Sequence, residues 1–270
     1  MDDLATARRL SAEFLGTGFL LAAVVGAGSM AAALSPGDPG LRLLESTGAV
    51  ALALAAVIHM FAPVSGAHFN PVVSAADWWL GRRAGTGLTT AELIGYVGAQ
   101  LAGAVFGTVL GNLMFGRPAM TVASTVRSGG NLLLSEVVAT AGLLVLIAAL
   151  VRTGRGAAGP GAVGAYVGAA CWFTASTCFA NPAVTVARMF TGAEAGIAPG
   201  SVPGFLLAQA GGLILACALI PWWYPHPAAR PEPAVTAVPA GRVPRPRRAA
   251  RVLTAVPVRR VPRPAGRPGR

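Results

Sequence analysis

The chain of 270 residues is 54% hydrophobic and 11% charged, with a mean hydropathy of +0.62 and a formal net charge of +11. That charge is local: residues 228–270 hold 11 of the 21 basic residues, all Arg, and one of the 10 acids, which leaves 10 Arg against 9 acids in residues 1–227. A nearly neutral, strongly apolar body excludes a soluble enzyme or a globular nucleic-acid-binding domain and predicts an integral membrane protein.

A helix needs about 20 mainly apolar residues to cross the bilayer core. In chain order, the sequence predicts spans over Leu10–Leu34, with Glu13 its only charge, then Leu43–Ala62, Glu92–Phe115, Asn131–Val151, Gly161–Phe179 and Val202–Trp223. Two shorter apolar pieces, Asn70–Leu80 and Asn181–Phe190, reach about half a membrane thickness at about 1.5 Å per residue. The predicted fold is an all-α membrane protein of six transmembrane helices and two re-entrant half-helices. Arg8 and Arg9 precede the first span as in a signal peptide, but the apolar run is too long for a cleaved segment. Arg8, Arg9, Arg82, Arg83, Arg152 and Arg155 fall on one side with the C-terminal segment, and Arg42, Arg117 and Arg127 on the other, so both termini are expected in the cytoplasm.

The chain repeats itself. Glu13 in Ala12–Thr17 is answered by Glu136 in Ser135–Thr140, Asn70-Pro71 by Asn181-Pro182, and Gln100 with Gly103 by Gln209 with Gly212. The order Glu, Asn-Pro, Gln recurs three spans apart, over about residues 8–117 and 130–224, within a channel domain expected at 1–227. An odd number of spans per repeat forces opposite orientations, the inverted plan that places solute sites near the midplane.

Asn is a strong N-cap, and Pro suits the first helical position because its missing N–H would have no partner there. Each Asn-Pro therefore reads as a helix start inside the membrane, which is tolerated only where the backbone is buried or lines an aqueous cavity. The two N-termini, meeting at the centre with roughly half a positive charge each, repel cations and leave the Asn amides free to donate to a passing neutral oxygen. Glu13 and Glu136 are costly within a span. Each reads either as an interfacial carboxylate or, better in view of its duplication, as an acceptor for the N–H groups of the loop ahead of its half-helix. Gln100 and Gln209 are expected to brace or pack nearby, and the many Gly and Ala fit close helix contact.

These residues resemble the aquaporin, or major intrinsic protein, superfamily over about residues 8–224. Ser65–Val72 is similar to the family's first signature loop and Phe179–Ala183 to its second. The resemblance implies a homotetramer in the lipid bilayer with one pore per subunit, passing water or small neutral solutes passively, without catalysis, cofactor, metal or nucleic-acid partner. The chain departs from the family at Val72, where Ala is usual beside Asn70 and Pro71; the second motif, Asn181-Pro182-Ala183, is regular. It departs further at Val184, where most members carry the selectivity-filter Arg. The other filter positions implied are Val50, Ala169 and Cys178, so every one is small or apolar, and the pore is expected to be wider and less polar than a strict water filter. Thr185 stands where glycerol-conducting members commonly have Asp. Arg188, one helical turn past Val184, reads as a displaced charge at the pore mouth or, the reading preferred here, as a helix-end Arg meeting solvent or headgroups. His68 is expected to line the pore on the cytoplasmic side, and Cys178 to present its thiol to solutes or to pack. Cys171 and Cys217 are expected to be inert packing residues.

The missing filter Arg and the run Trp172–Arg188 resemble bacterial plasma-membrane members associated with arsenic resistance, so the first functional expectation is a neutral-solute channel carrying metalloid hydroxides, chiefly arsenous acid. An ordinary water or glycerol channel and a closed-pore structural protein are the alternatives. Residues 228–270 are rich in Pro and Arg, with Thr236–Pro246 repeated as Thr254–Pro264, and are expected to be a disordered cytoplasmic tail.

Overall fold

The computed structural model describes residues 3–82 and 85–225. Expectations for the tail at 228–270 lie outside the described residues. In chain order the helices are α1 (Asp3–Leu34), α2 (Pro39–Ser65), α3 (Pro71–Gly81), α4 (Thr90–Met114), α5 (Gly130–Arg152), α6 (Gly159–Phe173), α7 (Pro182–Ala187) and α8 (Val202–Trp223), with no strand among the described residues. Short 3₁₀ turns occupy Gly156–Ala158, Arg188–Phe190 and Pro199–Ser201. Among the described residues, five segments, α1, α2, α4, α5 and α8 with its preceding 3₁₀ turn, are long and apolar enough to cross a membrane.

Local chemistry sets most of the helix ends. Asp38 caps α2 by accepting from Leu41 N at 2.9 Å, with Pro39 in the first turn, and Gly66 closes the helix at φ +87, a left-handed conformation that costs a residue without Cβ little. Thr89 and Glu92 form a reciprocal capping box at the start of α4. The fifth predicted span is the exception. The apolar run continues to Phe179, but α6 stops at Phe173 after 15 residues. The backbone of the next stretch turns to partners outside its own helix, described below.

The two halves repeat one packing scheme. Helix α1 lies along α4 and α5 along α8, while α3 also packs on α8 and α7 on α4, so each half-helix rests on the last helix of the other half. Small residues let the long pairs approach. A Cβ on Gly103 would fall 2.1 Å from Phe14 O, and one on Gly212 would fall 2.8 Å from Val137 O, so the duplicated glycines hold duplicated backbone contacts. In lipid, where apolar burial drives little association, such close approach is the main source of helix cohesion. The outer faces suit lipid: Leu52, Ile94, Leu207 and Ile214 all point outward. Trp78 and Trp79, with Arg82 stacked on both rings, lie in the last turn of α3, and Trp222 and Trp223 close α8, as expected of side chains at a membrane–water boundary.

Candidate functional site

Two loops, Gly66–Asn70 and Thr174–Asn181, turn inward ahead of α3 and α7. Glu13 on α1 is fully buried behind the first. Its Oε1 accepts from Ser65 Oγ at 2.6 Å and His68 N at 3.0 Å, and its Oε2 from Phe69 N at 2.7 Å and Gln100 Nε2 at 2.8 Å. Glu136 on α5, also fully buried, accepts from Phe179 N at 2.9 Å through Oε1, and from Ala180 N at 2.8 Å and Gln209 Nε2 at 2.7 Å through Oε2. Each Gln donates again to a hydroxyl four residues past its Asn, Gln100 to Ser74 Oγ at 2.9 Å and Gln209 to Thr185 Oγ1 at 2.8 Å. A buried carboxylate surrounded by N–H donors is satisfied where it would otherwise be costly.

The carboxylates hold a strained backbone. Among the described residues, Ala67, Phe69, Thr177, Cys178 and Ala180 are the non-glycine residues with positive φ, between +44 and +60, and all five lie in these loops. Each such conformation costs about 1 kcal/mol or more and persists only where its surroundings over-determine it. The extended turns present their N–H groups to Glu13 and Glu136 instead of continuing a helix, which is why the helix ends at Phe173 despite an apolar sequence.

Asn70 and Asn181 cap α3 and α7 through Oδ1, which accepts from Val72 N at 3.0 Å and Ala183 N at 2.9 Å respectively. Their amide groups cross between loops. Asn70 Nδ2 donates to Ala180 O at 2.8 Å, and Asn181 Nδ2 donates to Phe69 O at 2.9 Å. The amides are thus not wholly free for solute: one N–H of each is committed, and one remains.

A cavity of about 990 Å³ follows the loops from one end of the bundle to the other. Asp77, Leu80 and Ile220 border it at the end that carries the N-terminus, with His68 further in; Asn70 and Asn181 stand at mid-depth; Val50, Cys178 and Val184 come next; and Arg42, Arg127, Arg188 and Glu194 surround the opposite mouth. His68 is half-buried, its Nδ1 3.1 Å from Ser74 Oγ and its ring edge-on to Tyr96.

Several expected positions differ. Ala169 is exposed and does not border the cavity; Val163, Val167 and Cys171 do, at four-residue spacing along one face of α6, and a residue two places on from Val167 points to the opposite face. Cys171 is therefore a wall residue rather than an inert packing residue. Val72 is buried but off the cavity wall, which Val73 borders instead, so its extra methyls do not narrow the passage. Ala183 is likewise packed away, among Leu20, Leu21, Leu54 and Ala104, and Pro71 and Pro182 sit behind the wall. Arg188 overturns the solvent-facing reading: it is only 7% exposed and borders the cavity. Its Nε donates to Ala195 O, and its guanidinium carbon lies 3.6 Å from the centre of the Phe179 ring. The four-residue step from Val184 was a legible sign of this; the carbonyl and the ring that draw the side chain inward were not. Ser74 and Thr185 were missed, although a hydroxyl four residues after each Asn is visible in the sequence. In the loop after α4, Arg127 also borders the mouth; burial lowers its pKa, opposed by the charge of Glu136.

Helices that enclose a continuous passage, two half-helices meeting at its middle and an apolar exterior define an all-α membrane channel. The chain matches the sequence profile of the family described as "Major intrinsic protein" over residues 1–178. It is 47% identical over 222 residues to the aquaglyceroporin AqpS of Rhizobium meliloti, spanning 82% of this chain and 92% of that protein. It is 31% identical over 183 residues to the probable aquaporin AqpM of Archaeoglobus fulgidus, 60% of this chain and 72% of the relative. A third relative, the aquaporin AqpM of Methanothermobacter marburgensis, is 34% identical over 119 residues, 38% of this chain and 46% of that protein. The chain belongs to the major intrinsic protein family. It is a membrane channel for small neutral solutes and not an enzyme.

Proposed function

We propose that the channel passes polyol-sized neutral solutes and, among them, metalloid hydroxides such as arsenous acid, with Asn70 and Asn181 as the central donors and Val50, Cys178 and Val184 as the narrow section beyond them. The observation that carries this is the character of that section: two valines and a thiol border the cavity, and no guanidinium projects from position 184. Pore width and lining donors decide selectivity. Arsenous acid is uncharged near neutral pH and displays its hydroxyls much as a polyol does, so a wall that admits one suits the other. The relative named an aquaglyceroporin supports the polyol part of the reading. We further propose that the N-terminal end of the bundle faces the cytoplasm and that the channel is a homotetramer, the side-chain Arg bias and the family resemblance being their respective supports.

The test is stopped-flow permeability of water, glycerol and arsenous acid in one proteoliposome preparation. Glycerol and arsenous acid are expected to enter well above the protein-free rate, and Val184→Arg is expected to slow both several-fold more than it slows water. Arsenous acid entry equal to that of empty vesicles, with glycerol entry intact, would remove the metalloid part and leave a polyol channel.

A further inference from the structure

The section around Val184 is uncharged, yet the mouth just beyond it is not. Arg188 lies four residues further along the same face, about 6 Å outward at helical rise, and it is held on several sides. Its Nε is bonded to Ala195 O, its guanidinium is stacked on Phe179, and that ring is braced edge-on by Phe205 at 5.0 Å. Its backbone is fixed as well: Arg188 O accepts from Ile197 N at 3.2 Å, and Met189 O from Ala123 N at 2.8 Å. The terminal Nη groups take no acceptor among the described residues and are not sealed from the cavity.

Arg127 is held in a similar way at the same mouth. Its Nε donates to Gly196 O at 3.0 Å and its Nη2 to Glu194 O at 3.1 Å, and its guanidinium carbon lies 5.2 Å from the same Phe179 ring. Neither guanidinium forms an ion pair with a described carboxylate. Glu194, the acid at this mouth, is paired with Arg42, and Glu136 accepts from the loop backbone and Gln209.

We propose that Arg188 is the charge barrier of this channel, a guanidinium relocated from the filter position to the next turn and held there by Phe179 and Ala195, with Arg127 as an auxiliary charge. The arrangement separates two tasks. The wall at Val50, Cys178 and Val184 sets the width open to neutral solutes, and the unpaired guanidinium one turn outward raises the energy of a proton or metal cation while a neutral solute passes at little cost. This inference rests on the cavity being the solute path.

The test uses the full-length protein in proteoliposomes, with glycerol influx and proton entry under a clamped potassium potential measured in the same preparation. Wild-type protein is expected to pass glycerol while admitting protons no faster than empty vesicles. Arg188→Leu is expected to keep glycerol influx within about twofold and to raise proton entry about tenfold, whereas Arg188→Lys, which keeps the charge, stays tight. An Arg188→Leu protein that passes glycerol and remains as proton-tight as wild type overturns the proposal. Where the leucine variant lacks glycerol influx, Arg188→Gln, which retains a donor toward Ala195, is judged by the same two outcomes. Absent glycerol influx in the wild type overturns the solute path itself, and with it the barrier, so the two failures are read on separate signals.

Discussion

The two re-entrant loops share a brace but not a lining. In both, a buried Glu and a Gln meet the loop backbone and a hydroxyl four residues past the Asn, and the two Asn amides exchange bonds with the carbonyl just before the other Asn. Their volumes are traded instead of copied. The first loop carries Phe69 against Gly16, where a Cβ would come within 2.0 Å of the ring, while the second carries Ala180 in one cluster with Ala139, the counterpart of Gly16. The first loop adds Ser65 to its carboxylate and places His68 in the passage; the second places Cys178 there and offers Phe179 to two arginines. Duplicated polar residues set the path of the backbone, and unduplicated ones set the chemistry at each end.

The comparison is broken most severely at the carboxylates. Glu13→Leu leaves four donors without their acceptor and Glu136→Leu leaves three, so each is expected to lose about 3–5 kcal/mol, with the first the worse. Thermal unfolding of the detergent-purified proteins checks this, and a variant of either that unfolds like wild type would mean its loop is held by something else. Asn70→Ala and Asn181→Ala each remove a cap and a crossing bond, about 2 kcal/mol. The crossing bonds are mirrored, but Asn181 Oδ1 also accepts from Val184 N at 3.3 Å, so its loss is expected to be equal or slightly the larger, and a clearly larger drop in melting temperature for Asn70→Ala would show that the first loop carries the junction.

Smaller changes sharpen the volume trade. Gly16→Ala overpacks the Phe69 ring and is expected to cost about 1–3 kcal/mol, whereas Ala139→Gly removes a buried methyl and helix propensity without overpacking and is expected to cost about 1–2 kcal/mol; paired unfolding curves measure both. Val72→Ala is expected to leave glycerol influx unchanged, since Val72 stands off the cavity wall. An increased influx would place Val72 at the constriction after all.

Local patterns announced a large part of this architecture. Apolar runs of membrane length marked five crossings, Asn-Pro marked both half-helix starts, and Gly103 and Gly212 marked where paired helices touch. The fifth run, Gly161–Phe179, misled at its end, because apolar character alone does not distinguish a helix from a loop whose N–H groups are taken by a distant carboxylate. At the site, Val50, Cys178 and Val184 were legible only through the family motif, and Ala169 was misplaced because the motif count carries no information on which face of α6 turns inward.

What the amino-acid order determined alone was therefore whatever depends on near neighbours: span length, helix starts, the internal duplication and its inverted sense. Only the tertiary structure decided which side chains meet the passage, and for a physical reason. The rotation of a packed helix and the reach of a long side chain are settled by their partners, as Arg188 shows, where a ring at position 179 and a carbonyl at 195 turn a residue expected in solvent into one that borders the cavity.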